Sequence, residues 1–222
     1  MRTFLLQTDH LLRGRELPGE PARISLPRLL LTIVVFGILY GATMGSFGGL
    51  VGERWLQPIY SGLKVPLLLL ITFLLSLPSF FVLNTLLGLR PDFGLVLRSL
   101  IAMQAGITVI LASLAPFTAF WYASVNDYNA ALMFNAGMFA VASLAGQFIL
   151  RRSYKSLIVR DARHRLLMRG WLLIYAFVGI QMGWVLRPFV GNPTSPTRFF
   201  REEAWGNAYV EVVQIAGRSL GW

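Results

Sequence analysis

The chain contains no cysteine and only two histidines, His10 and His164. The first absence excludes disulfides, thiolate chemistry, iron–sulfur ligation and acylated cysteine anchors. The second leaves too few ligands for a zinc site, and both histidines lie outside the apolar stretches, which excludes haem ligation within a bilayer. Acidic residues are scarce as well, ten against twenty basic ones, and none sits in the central part of an apolar stretch. Proton pumps and ion-coupled transporters usually keep such groups inside the membrane. The Gly-x-x-x-x-Gly-Lys, His-Glu-x-x-His and Gly-x-Ser-x-Gly patterns are all missing. The densest acidic spot, Glu202 and Glu203 beside Arg198 and Arg201, reads as surface ion pairs rather than as an acid–base pair. The expectation is therefore a protein that is not an enzyme, with no catalytic, metal or cofactor-binding residue.

What the chain does have is five long apolar runs in 222 residues. A bilayer core of about 30 Å takes roughly 20 apolar residues at the helical rise. In lipid the backbone must satisfy its own hydrogen bonds, so each run is expected as a helix. The runs cover residues 29–51, 65–87, 99–123, 130–150 and 170–186. The fold class is all-α, a single five-span membrane domain over 29–186, preceded by a basic lead, 1–28, and followed by an aromatic and basic tail, 187–222. A 28-residue lead and a long apolar run make the first span a retained anchor rather than a cleaved signal.

Basic residues set the orientation. Fourteen fall in the lead, in the 88–94 turn and its flank, and in the 151–169 loop, against six on the other side. The N-terminus is expected in the cytoplasm and the C-terminus across a bacterial inner membrane. The net charge of +10 reads as topology rather than as a nucleic-acid site. Within the 151–169 loop, Arg151, Arg152, Lys155, Arg160, Arg163, Arg165 and Arg169 are expected to meet anionic headgroups while Leu157, Ile158, Leu166, Leu167 and Met168 ride on the surface. His164 among these arginines reads as solvated. Interfacial amphipathic segments are also expected near Phe4–Leu12 and from Ala204 onward. Pro66 suits the start of span two, and Pro78 and Pro116 should kink spans two and three. Short links at 88–94 and around Asn126-Asp127 should make hairpins of spans two and three and of spans three and four.

Gly37, Gly41, Gly45 and Gly49 recur every four residues in span one, and Gly179 and Gly183 repeat the spacing in span five. Small residues at this spacing let helices approach closely in lipid. Packing within the bundle is the preferred reading, a subunit interface the alternative. The mid-span amides Asn84, Gln104, Asn135, Gln147 and Gln181 are expected to bond between helices rather than line a substrate path.

The stretch Lys64 to Ser79, running on through Asn84 and Gly88, resembles a motif of an uncharacterised family of bacterial polytopic membrane proteins. So does Trp171 to Gln181 with Leu186 to Pro193. The five spans and the Lys-x-Pro opening of span two are more distantly similar to the Yip1-like membrane proteins, which implies a role in trafficking or membrane shaping without a catalytic centre. Neither resemblance supplies site residues. The function expected is a structural or accessory subunit that packs against other membrane proteins, with Phe189, Phe199, Phe200, Trp205 and Tyr209 of the tail as partner anchors. A small-molecule or lipid transporter is the alternative.

Overall fold

A computed structural model describes residues 25–193, 195–200 and 210. Its described elements are helices: α1 Leu26–Gly45, α2 Leu56–Leu86, α3 Phe93–Ser124, α4 Tyr128–Arg160 and α5 Arg163–Leu186, with short 3-10 turns at Gly52–Trp55 and Arg90–Asp92. Five are long and apolar enough to cross a membrane. The segments 1–24 and 204–222, apart from Val210, lie outside the described residues, so the expected amphipathic elements there have no structural counterpart to report.

The helix limits differ from the apolar runs because backbone chemistry, not hydropathy, sets them. Span one was expected to reach residue 51, but α1 stops at Gly45. Gly48, Gly49 and Gly52 take positive φ, which glycine adopts without a Cβ clash. Gly49 therefore lies outside the helix. Helix α2 starts nine residues before the expected position, and Pro66 falls inside it rather than at its start. Its end is a Schellman turn. Gly88 has φ 71°, its N–H donates to Thr85 O at 2.9 Å, and the Leu89 N–H donates to Asn84 O at 3.0 Å. Asn84 Nδ2 closes the turn by donating to Leu89 O at 3.2 Å.

The 151–169 segment is not a loop. Helix α4 continues through Arg160 and α5 begins at Arg163, so only Asp161 and Ala162 separate them. Asp161 favours the sharp restart, because its carboxylate accepts from the Arg163 N–H two residues on at 2.8 Å, an Asx turn leading into α5.

Helix α1 lies between α2 and α3, packing along both, while α2 and α3 touch each other little. The expected side-by-side hairpin of spans two and three is thus opened by α1; the two meet at their shared turn through Phe80 and Phe81 against Phe93. Helix α3 also packs on α4, and α2 on α5, giving the order α5–α2–α1–α3–α4. Buried Tyr40, Phe73, Phe80, Leu100, Leu111, Tyr154 and Trp171 form the core. The end carrying the α2–α3 and α4–α5 turns is called the basic end below, and the opposite one the strap end.

Candidate functional site

The strap begins where α5 must stop. Arg187 precedes Pro188, and a residue before proline is driven out of the helical region; Arg187 sits at φ −61°, ψ 153°. The Arg187–Pro188 peptide is cis. The carbonyls that follow have no helical partners, so they take donors from α2. Gln57, Ser61 and Lys64 stand at i, i+4 and i+7, one face of that helix. Lys64 Nζ donates to Pro188 O at 2.7 Å. Ser61 Oγ donates to Phe189 O, and Gln57 Nε2 donates to the same oxygen at 3.3 Å. Tyr128 OH, at the start of α4, donates to Val190 O at 3.4 Å. The strap thereby joins the ends of α5, α2 and α4. Lys64, just ahead of the expected start of span two at residue 65, is fully buried, with its ammonium 4.9 Å from the centre of the Phe199 ring.

This placement changes the reading of the tail aromatics. Phe189 packs against the core. Phe199 meets Tyr60 and Phe200 edge to face. Of the five expected anchors only Phe200, 45% exposed, offers a free face among the described residues; Trp205 and Tyr209 lie outside them. Trp55 and Ile59 are exposed at the same end.

The glycine face meets α2. A Cβ on Gly41 would overlap the Ser61 carbonyl, and one on Gly45 would lie 2.6 Å from Gln57 O. On Gly37 it would press on the Pro66 ring at 3.2 Å. Gly49 and Gly183 have no neighbour within 4 Å of that position, and Gly179 only Thr72 at 3.5 Å. Beside this seam Tyr40 OH donates to Asn135 Oδ1 at 3.0 Å, Asn135 Nδ2 to Tyr122 OH at 2.6 Å, and Tyr122 OH to Met44 O at 3.1 Å. The chain of bonds ties α1, α4 and α3 together. Gln104 makes no such bond: it is fully buried, and both its amide atoms lack a partner. Gln147 and Gln181 are half-buried on α4 and α5.

At the basic end Asp92 receives Arg160 Nη1 at 3.3 Å and lies 3.1 Å from His164 Nε2. His164 is fully buried, which corrects its reading as a solvated residue. Once α5 starts at Arg163, His164, Leu167, Met168 and Trp171 share one inward face, so Leu167 and Met168, like Leu157 of α4, are buried in the core rather than riding on the membrane surface as expected. Arg163 pairs with Asp161 at 2.7 Å and donates to Leu87 O at 2.8 Å. Hydrogen bonds from Arg163 push the Asp161 carboxyl down to about 2. Arg160 and Arg163 are thus engaged by protein groups while remaining largely exposed; Arg151, Arg152, Lys155, Arg165 and Arg169 are also exposed, on helices rather than on a loop.

Among the described residues no three His, Cys, Asp or Glu side chains gather closely enough to hold a metal ion. In comparisons with known proteins, no family model, no curated protein and no solved structure matches this chain.

Proposed function

We propose that this chain is a multi-pass protein of the bacterial inner membrane, N-terminus inside and C-terminus across, that serves as a non-catalytic structural or accessory subunit for other membrane proteins. The observation that carries the reading is the strap. Lys64, Ser61, Gln57 and Tyr128 fix a proline-rich segment across one end of the bundle. At the same end Phe199 packs on Tyr60 and Phe200 on Phe199, and Trp55 and Ile59 are exposed. Rigid aromatic surface costs little further ordering when a partner docks. At the other end exposed Arg151, Lys155, Arg165 and Arg169 suit anionic headgroups.

The test is purification in mild detergent with mass spectrometry of co-migrating proteins, from the native chain and from a Trp55→Ala, Phe200→Ala variant. The reading expects a defined partner that the double variant loses. A native chain that purifies alone, and behaves identically to the variant, would overturn it. A second reading, small-molecule or lipid handling, draws support from one observation, the buried Gln104 amide with no partner.

A further inference from the structure

Four helix ends gather at the basic end. Asp92, in the α2–α3 turn, meets Arg160 of α4 and His164 of α5, and Arg163 donates to Leu87 O at the end of α2. Beside these bonds Leu157, Leu167 and Met168 are buried, so the junction is a folded body rather than a pair of loops. It also extends past the apolar spans. From Arg151, where the apolar run of α4 ends, the helix continues to Arg160, about 14 Å at the helical rise. On α5 the stretch from Arg163 to Arg169 covers about 9 Å before the apolar run begins. A headgroup layer is only about 5–8 Å deep. In a chain that crosses the bilayer, Val159 and the α4–α5 turn therefore face water beyond the headgroups.

Positive charge and apolar area are both left over at this tip. Its two acids are engaged, Asp92 by Arg160 and His164 and Asp161 by Arg163. Arg90 and Arg165 are exposed and form no ion pair among the described residues. Val159, 79% exposed, and Leu166 stand within about one turn of the α4–α5 link. Positive charge alone suits anionic lipid or acidic protein equally. Height and apolar area separate the two. A headgroup layer that ends short of Val159 leaves it uncovered, and attraction to anionic lipid fades within a Debye length of about 8 Å. Arg151, Lys155 and Arg169 stand nearer the apolar runs and are the cations placed for headgroups. A protein segment carrying both carboxylates and apolar side chains can cover what remains.

We propose that the tip docks an acidic amphipathic segment of a partner protein from the aqueous side. Its carboxylates pair with Arg90 and Arg165, and its apolar side chains cover Val159 and Leu166. The site rests on the reading of the chain as membrane-spanning, and not on the partner at the strap end. The test titrates the full chain, in nanodiscs of zwitterionic lipid, into a fluorescent synthetic helical peptide with glutamates on one face and leucines on the other. Anisotropy reads the binding. Arg90→Glu with Arg165→Glu should weaken it about tenfold, and Val159→Ser with Leu166→Ser about threefold. Arg151→Glu with Arg169→Glu should change it less than about twofold. All these side chains are exposed, so the fold should tolerate each pair. Native affinity in both tip variants overturns the proposal, as does a boundary pair that matters as much as the tip pairs. Equal binding of a peptide with serines in place of the leucines also overturns it, because plain charge would then suffice. Phosphatidylglycerol in the discs should leave the peptide bound; its displacement would assign the tip to the bilayer instead. The Trp55→Ala, Phe200→Ala variant should bind the peptide like the native chain, so failure at the strap end and failure here are read apart.

Discussion

The two ends of this bundle are held by different chemistry. At the strap end neutral carbonyls accept from Lys64, Ser61, Gln57 and Tyr128, and the key base is fully buried. At the basic end carboxylates meet arginines whose side chains are 57–63% exposed. Bonds of the first kind are shielded from solvent, so breaking one leaves a buried group unsatisfied. Those of the second kind are screened by salt and contribute little each. The strap end should therefore be brittle and the basic end tolerant, and substitutions can break that contrast or sharpen it.

The largest effect is expected beneath the strap, where α1 meets α2. Gly41→Leu or Gly45→Leu forces a side chain into the backbone of Ser61 or Gln57, and backbone cannot swing aside as a flexible side chain can. A cost above about 3 kcal/mol is expected, beyond the usual range for an overfilled core. Monodisperse protein in detergent should be lost. Gly183→Leu, where no neighbour stands, should leave size-exclusion behaviour unchanged. Normal behaviour of both α1 variants would mean that the close α1–α2 seam is not needed.

Lys64→Met comes next. It keeps the apolar stem and removes the donor to Pro188 O, so the strap loses the tie from a fully buried base at a cost of about 1–3 kcal/mol. Limited proteolysis should then cut near residues 187–193 in the variant and not in the native chain. Equal protection would show that Ser61, Gln57 and Tyr128 hold the strap without Lys64.

Sequence made some of this architecture legible and hid the rest for a physical reason. The five apolar runs mark five helices, because lipid and core both demand apolar length. Gly88 announced the α2 end, since only a positive φ closes a Schellman turn so tightly. Four-residue glycine spacing marked a face of α1 but not which helix meets it. The row Gln57, Ser61, Lys64 was also visible as an i, i+4, i+7 pattern, yet its acceptors are backbone carbonyls 124–132 residues away, and a carbonyl leaves no trace in the residue type. His164 was misread because its arginine neighbours dominate the local composition. The spacing His164, Leu167, Met168, Trp171 was the signal that it turns inward.

At the basic end Asp92→Asn tests the middle of the range. Asp92 bridges Arg160 of α4 and His164 of α5, and the amide keeps an acceptor while losing the charge. A loss of about 1 kcal/mol is expected, below that of Lys64→Met. A larger loss than for Lys64→Met would reverse the contrast between the ends.

The smallest effect is expected at Asp161, which holds Arg163 at 2.7 Å in the exposed turn. Its carboxyl lies lower in the folded chain, at about 2, because Arg163 donates to it and favours the charged form. The sign follows: a depressed acid stabilises above its unfolded value, and that stabilisation fades as pH falls through the folded value. Solvent and salt screen so exposed a pair, so the gain should be slight. Asp161→Asn should accordingly lower Tm slightly at neutral pH, and the difference should shrink as pH falls from about 4 toward 2. High salt should shrink it as well. Salt should leave the Lys64→Met deficit largely untouched, because that bond is buried. Equal salt sensitivity of the two deficits would mean that the strap end is as wet as the basic end, and the distinction between them would fall.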